Sequence, residues 1–512
     1  MKITERRCFC LLAIIVIVTA WNSYDFYHED EHFQILEFGG SKLGIVPEHD
    51  LPWEYKAGIR PWLQPTLFVG ICKILQFSGV ENRFLWTFFF RLFCAAWGFY
   101  AMLCVYRMGA ALLKDESAQR NHLILCTTLG FLPFLLVRTS SENMSTSFFT
   151  IGMVLLLKSR YDTDSERRMI SPGIRLLAGL LLGLAFQFRY QTIIMTVGLC
   201  LWLLFIAGTR WKHVALISGG FLSAVWIGML ADRYGNGRWT FPFFDYFRVN
   251  LLENKTVEFG TYPFFAYLYL PLANVFILIV PFLMVSLFIL WIQKPKHALT
   301  WITLPFFIFH CFIGHKDERF LFPMIPAAIL SLQLVFSKDG RQVLPAFFQT
   351  GFWRGSYKWI WRYNWCWLIF LSVFPFNIDF NINHQKFIYN HRGGGDTYYA
   401  VDFNPYRSNE LVFSFYRPEN LHMVEVENLS SMADIARNNT TREIYFFSRM
   451  PYLDNWPDAL AQRTTVANAS HFFFRWPWVV KTFTPTLKYI QGIINGAQCP
   501  TLFRIAPQDE LQ

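Results

Sequence analysis

Apolar residues in this chain come in long blocks, and the short alternations typical of half-buried strands are confined to its last part. Runs of roughly 15–25 apolar residues cross a bilayer at ~1.5 Å per residue. Such runs fall at 8–23, 84–106, 121–137, 144–157, 173–188, 191–208, 214–231, 264–292, 298–314, 319–336 and 363–377, which predicts eleven helical spans. The 61–79 stretch is too interrupted to count. The 264–292 run has room for one long tilted helix, broken at Pro271 or Pro281. The first run has no small-x-small cleavage site behind it and reads as an uncleaved span.

Residues 378–512 hold no spanning run. Strand-like pieces at 411–416 and 444–447 are separated by Asn, Asp, Gly and Pro turns. The expected architecture is an all-α polytopic membrane domain over 1–377 and a small soluble mixed α/β domain over 378–512. Gly393-Gly394-Gly395-Asp396 reads as a mobile turn.

Composition supports the membrane reading. Hydrophobic residues make up 54% and charged residues 16%, against ~25% charged in soluble domains. With 19% aromatics as well, the chain is neither disordered nor a soluble enzyme. The net charge of +10 is unevenly placed. With Met1 cytoplasmic, the inside loops hold 19 basic and 7 acidic residues, and the outside loops hold 12 and 16. That bias satisfies the positive-inside rule, so the basic surplus marks orientation and not nucleic-acid binding. An odd number of spans places 378–512 on the non-cytoplasmic face. Cysteines lie mostly inside apolar runs, and only Cys72 and Cys499 fall at positions compatible with a disulfide. N-x-S/T sequons at Asn143, Asn254, Asn428, Asn438, Asn439 and Asn468 lie on or at the edge of the proposed outside.

The candidate chemistry sits in the outside loops. The first reads His28-Glu29-Asp30-Glu31-His32-Phe33-Gln34-Ile35-Leu36-Glu37. Three adjacent acids repel one another, which raises the proton affinity of one of them. On a helix, Asp30 or Glu31 shares a face with Gln34 and Glu37. This is either a site for a general base or a solvated acidic helix start. Pro52-Trp53-Glu54-Tyr55 and Gly58-Ile59-Arg60-Pro61-Trp62 join aromatics to charge, as interface anchors do and as sugar platforms do. Glu142 follows Arg138 between two spans, and Arg189 stands alone at the outer end of another, where it must snorkel or pair. The 232–263 loop, from Asp232 to Tyr262 and Pro263, mixes aromatic and polar residues and suits a re-entrant lid. His315-Lys316-Asp317-Glu318-Arg319-Phe320 crowds charge into one short outer turn, either an interface turn or an anion site. Carboxylates for a base, cations for a phosphate and aromatics for a sugar are the inventory of glycosyl transfer from a lipid phosphate.

His315 to Phe320 resembles the H-K-E-x-R-F signature of the glycosyltransferase family 22 mannosyltransferases, which include the lipid-linked oligosaccharide and GPI enzymes. His28 to Gln34 is similar to that family's P-D-E-x-x-Q, with Glu29 in place of Pro. Trp53-Glu54-Tyr55 with Ile59-Arg60 is similar to its T-W-E-[WY] and R-S/P-W segment, and Arg138 to Glu142 parallels its R-x-x-S-x-x-E region. Asp232-Arg233-Tyr234-Gly235 through Tyr262-Pro263 resembles its D-x-x-[FY]-G-x-W-T … Y-G-x-x-P-W loop. The matches run in order through 1–336, and their spacing is nearest to the GPI-type members or a bacterial relative. The P-C-H-S-T-P segment of the GPI-type members is absent, with only Arg449-Met450-Pro451-Tyr452 near its place.

The resemblance implies a GT-C membrane fold and an inverting mannosyltransferase. Its donor would be a polyprenyl (dolichyl) phosphate mannose, its acceptor a glycolipid or lipid-linked glycan, and its product an α-1,2 or α-1,6 linkage, with no metal or other cofactor. Carried over, Asp30 is the base and Glu31 its support. Arg189, His315, Lys316 and Arg319 hold donor phosphate. Gln34, Glu37, Trp53, Glu54, Arg60, Glu142, Asp232 and Tyr262 contact acceptor or sugar. The alternative is a lipid-linked sugar transporter or flippase. That class calls for paired half-repeats and midplane ionisable residues, and neither is evident here.

Overall fold

The computed structural model describes residues 3–113, 115–161, 170–253, 255–270, 278–335, 337–338, 341–342, 351–373, 380–391, 397–408, 410–449, 453, 456–469 and 500–511. The Gly393–Gly395 turn, Asn254, Pro271, Cys499 and the 450–452 piece lie outside them. Two compact units emerge: Met1–Ser23, Trp53–Glu81 and Leu85–Phe376 form the first, and Tyr24–Pro52, Asn82–Phe84 and Asn377–Gln512 form the second. The acidic part of the first outside loop, within Tyr24–Pro52, is therefore grouped with the C-terminal residues.

The first unit is helical. The 264–292 run opens as a 3-10 segment over Phe264–Leu268 and is α-helical over Ile279–Gln293, but most apolar runs fall on helices. Ile3–Asn22, Arg83–Leu112, Ser141–Tyr161, Pro172–Phe188, Ile193–Phe205, Trp211–Asn236 and Gly351–Val373 each carry one. Local signals set the ends. Ser171 Oγ accepts the Ile174 amide with Pro172 at the first position, and Asp115 accepts the Ala118 amide. The interrupted 61–79 stretch is helical as well, over Leu63–Phe77. Among the described residues, Arg83–Leu112, Trp211–Asn236 and Glu318–Val335 are long and apolar enough to cross a bilayer. Ile279–Gln293 and Ala298–Phe312, bent by 115° at their junction, add a fourth candidate or a re-entrant pair. Three or four such spans are thus present among the described residues, where hydrophobic runs alone predict eleven.

Two expected helices are broken. The 121–137 run divides into Glu116–Thr128 and Leu132–Leu136, because Leu129 turns extended and Pro133 can only start a helix. Asn364 takes up the freed backbone groups. Its Oδ1 accepts the Gly130 amide and its Nδ2 donates to Thr128 O, both at 2.7 Å. Inside a membrane such groups have no water to turn to. The 319–336 run begins as a 3-10 segment, Glu318–Met324, with Pro323 inside it, and becomes α-helical only at Ile325.

Small residues bring helices into backbone contact. A Cβ on Gly179 would sit 2.0 Å from Ile217 O, and one on Gly220 would sit 2.1 Å from Leu176 O. Pro172–Phe188 and Trp211–Asn236 thus pack at the separation that small-residue stripes allow in membranes.

The second unit holds a five-stranded mixed sheet: β1 (Thr397–Ala400), β2 (His422–Glu425), β3 (Ile444–Ser448), β4 (Thr464–Ala469) and β5 (Thr501–Ile505), in the order β2-β1-β3-β5-β4. β1 runs parallel to β2 and β3, and β5 runs antiparallel to β3 and β4. Helix Leu429–Asn438 buries Met432, Ala433 and Ala436 against Ile444, Phe446 and Phe503. Of the strand-like 411–416 piece, only Leu411–Val412 is a strand.

Candidate active site

Three elements of the first unit meet around one carboxylate. Glu142 lies in the first turn of Ser141–Tyr161, Arg189 is the extended residue that ends Pro172–Phe188, and Arg319 lies in the Glu318–Met324 turn. Glu142 Oε1 is 3.2 Å from Arg189 Nη2 and 3.5 Å from Arg319 Nη1. Asp317 caps the turn: Oδ1 accepts the Arg319 amide at 3.0 Å and Oδ2 accepts Arg319 Nε at 2.6 Å. Both guanidinium groups lie over the Phe320 ring, at 5.0 Å for Arg189 and 5.4 Å for Arg319. The Glu142, Arg189 and Arg319 side chains are 1%, 8% and 5% exposed, so the charges meet away from water. Paired guanidinium planes of this kind suit bidentate recognition of a phosphate.

The neighbouring cations are held differently. Lys316 Nζ donates to Cys311 O at 2.9 Å and to Ile313 O, so its ammonium caps the C-terminal end of Ala298–Phe312. It also sits 5.6 Å from the Tyr267 ring, and the Tyr267 hydroxyl donates to Asp317 O at 3.1 Å. Burial pushes the Lys316 ammonium below its usual value. His315 Nδ1 lies 3.2 Å from Gly260 O. A carbonyl only accepts, so Nδ1 carries a proton, and in the neutral ring Nε2 is then the acceptor. Tyr262 donates its backbone amide to Gly314 O at 3.0 Å, tying the 232–263 loop to the His315 turn.

A second polar set reaches the Arg189 turn through Gln191. Arg60 Nη2 donates to Glu54 Oε1 at 2.8 Å, and the Arg60 guanidinium lies 5.6 Å over Tyr246. The Tyr246 hydroxyl accepts from Gln191 Nε2 at 2.7 Å. Asp232, fully buried, accepts the Trp62 amide on Oδ1 at 2.8 Å, and Asn236 accepts the Trp62 indole N–H at 3.1 Å. Gly235 leaves room for that ring, since a Cβ there would fall 1.8 Å from Trp62 Cδ2. Trp53 is 37% exposed, with Lys255 Nζ 5.7 Å from its ring. Many aromatics of the 232–263 loop are exposed too, including Trp239, Phe244 and Phe259.

The acidic loop belongs to the second unit. His28 Nδ1 accepts the Asp30 amide at 3.2 Å, which starts the short Glu29–Glu31 helix, and the Asp30 side chain is 23% exposed. Glu31 and Gln34 are buried. The helix then widens into a π-helix over His32–Glu37. That replaces the expected i, i+4, i+7 face, because a π-turn stacks residue i over i+5. His32 therefore meets Glu37, with Nε2 2.7 Å from Oε1. Glu37 is fully buried, and its Oε1 also accepts the amides of Ser414 and Phe415.

The profile of the Alg9-like mannosyltransferase family matches residues 7–390. The chain belongs to that family. Its Alg9-like relatives include mannosyltransferase APTG1 of Arabidopsis thaliana, 24% identical over 65% of this chain and 59% of that protein. GPI alpha-1,2-mannosyltransferase 3 of Mus musculus is 25% identical over 58% of this chain and 52% of that protein. GPI mannosyltransferase 3 of Yarrowia lipolytica is 26% identical over 62% and 59%. The match thus spans between half and two thirds of these relatives' own length. Among solved structures, ArnT from Cupriavidus metallidurans bound to undecaprenyl phosphate superposes with a TM-score of 0.50 at 12% identity, over 91% of this chain and 97% of that one. That likeness concerns the fold alone.

Among the described residues of this Alg9-like chain, no three His, Cys, Asp or Glu side chains gather as a metal site. Of the four expected phosphate ligands, the structure brings Arg189 and Arg319 together. It turns the Lys316 ammonium onto helix carbonyls and His315 onto Gly260. Asn236, Gln191, Tyr246 and Tyr267 were not expected in the polar sets, whereas Trp62 was expected beside charge. Asn236 and Tyr246 lie inside an outer loop, Gln191 and Tyr267 inside apolar runs, and partners 50–174 residues away do not show in a local pattern.

Proposed function

We propose that this protein transfers mannose from a polyprenyl (dolichyl) phosphate mannose to a hydroxyl of a glycolipid or lipid-linked glycan on the non-cytoplasmic face of its membrane, in the ER or in a bacterial inner membrane. The observation that carries the proposal is the buried Arg189–Glu142–Arg319 cluster, flanked by Asp317, which holds two guanidinium planes ready for an anionic leaving group. Membership of the Alg9-like family supplies the sugar and the reaction class.

In the reaction, the acceptor oxygen bonds to mannose C1 as the bond from C1 to the phosphate oxygen breaks. The electron pair leaves with polyprenyl phosphate, whose charge Arg189 and Arg319 stabilise. The hydroxyl proton passes to the Asp30 carboxylate. In-line displacement inverts a β-linked donor to an α-1,2 or α-1,6 product. Glu31 supports the base, and Trp53, Glu54, Arg60, Asp232 and Tyr262 shape the acceptor side. Asp30→Asn is expected to abolish transfer of labelled mannose from the polyprenyl phosphate donor, while the protein inserts and unfolds as the native chain does. Retained transfer would remove Asp30 from this role, and no incorporation by the native chain from that donor would remove the function.

A further inference from the structure

The 413–417 segment is held to the acidic loop from several sides, all within the second unit. Glu37 Oε1 takes three donors, His32 Nε2 at 2.7 Å, Ser414 N at 3.0 Å and Phe415 N at 3.1 Å. Ser414 Oγ donates to Asp50 Oδ2 at 2.6 Å. Phe413 packs against His32 and Phe33, with centroids 5.0 and 4.9 Å away. Gly40 leaves the space that Phe415 and Val46 occupy: a Cβ there would fall 3.0 Å from Phe415 Cδ2 and 2.6 Å from Val46 Cγ2. Arg83 Nη1 donates to Phe415 O and Arg417 O at 3.0 and 2.9 Å. Both partners of the central contact are out of water, with His32 and Glu37 each 1% exposed. A buried carboxylate with so many donors is a fixed point, because moving it leaves a charge and several amides unsatisfied.

We propose that Glu37 is a positioning residue: its carboxylate ties the loop that bears Asp30 to Ser414 and Phe415, so the C-terminal segment belongs to the catalytic apparatus. The inference rests on the reading of Asp30 as the base. The π-turn is what makes it work, since only i to i+5 stacking puts His32 over Glu37 seven residues beyond Asp30. The tie reaches past the family match, which ends at residue 390. It gives the C-terminal residues a task in the reaction beyond folding on their own.

The test uses the full chain in detergent or nanodiscs, with polyprenyl phosphate mannose and a glycolipid acceptor. Glu37→Ala is expected to lower kcat about 100-fold, the size of effect that a misplacement of ~1 Å produces. KM for the donor stays as in the native chain, and backbone amides of residues 26–38 exchange faster with solvent. Glu37→Gln keeps an acceptor oxygen for the same three donors and is expected to restore most of kcat. Ser414→Pro removes one amide donor without touching Glu37 and is expected to lower kcat, beyond the effect of Ser414→Ala, which breaks only the Asp50 contact. If Glu37→Ala does not fold, the Ser414→Pro and Ser414→Ala pair decides. Native kcat and native exchange in Glu37→Ala overturn the proposal. So does a loss confined to KM, which would place Glu37 on a substrate. Full activity of Asp30→Asn would instead sink the base assignment, while the exchange measurement still reads the tie.

Discussion

Removing the Glu142 charge tests the buried ionic set most directly. Glu142→Gln keeps the side-chain shape and opens no cavity, so what is lost is one negative charge facing Arg189 at 3.2 Å and Arg319 at 3.5 Å. At an effective dielectric constant of ~20, each contact is about 5 kcal/mol of gross attraction. Burial had already cost much of that in lost hydration, so the net penalty is the ~3–5 kcal/mol seen when one partner of a buried pair is removed. Asp317 remains bonded to Arg319, and the two guanidinium groups then repel across the gap. For a unit of roughly 340 residues, with an unfolding entropy of ~2.1 cal/mol/K per residue, the melting midpoint should fall by about 4–7 °C. The assay is thermal unfolding of the purified chain in detergent, with and without polyprenyl phosphate. If the set is a phosphate site, the variant regains more from the added anion than the native chain does, up to about 2.7 kcal/mol at a hundredfold excess over Kd. An unchanged midpoint in Glu142→Gln would show that the pairs contribute nothing. A lowered midpoint with no response to polyprenyl phosphate would leave a purely structural cluster.

Two further outcomes follow from packing and charge. Gly220→Ala should destabilise the first unit by about 1–3 kcal/mol, because its Cβ would fall 2.1 Å from Leu176 O. Gly219→Ala, whose Cβ meets only a Leu176 methyl at 3.8 Å, should be neutral in the same unfolding assay, and equal effects would contradict the close approach of these helices. In the second unit, the hydrogen bond from Arg504 holds the Glu443 carboxyl below its ordinary value. A carboxylate with a depressed folded value stabilises the fold above the unfolded value near ~4.3, and that gain is lost as pH falls through the folded one. Both groups are about a third exposed, so the gain is under about 1 kcal/mol. Arg504→Ala should therefore flatten the stability profile between pH ~5 and ~3, read by hydrogen exchange in β5, and an unaltered slope would discount the pair.

Several features were legible from residue order because their causes are local. A span is a contiguous apolar run, and charge bias between loops is read loop by loop, so the membrane class and most helix positions were legible. The His315–Phe320 turn and the His28–Gln34 loop are contiguous too, and their order along the chain was enough to recognise the family that the profile match establishes. Folding in three dimensions settled which charges are partners. Arg189 and Arg319 are 130 residues apart and look no different in sequence from Lys316, yet they share Glu142 while Lys316 caps a helix end. In the sequence Glu37 shares a helical face with Asp30 or Glu31, but a wider helical turn and two amides from residues 414 and 415 bury it completely. The break at Gly130 was equally hidden, because Asn364, which satisfies its backbone, lies 234 residues further on. Hydrophobicity and charge sum along a chain, so a sequence reports them. A hydrogen bond or an ion pair depends on separations of a few ångströms between distant residues, and only packing sets those separations.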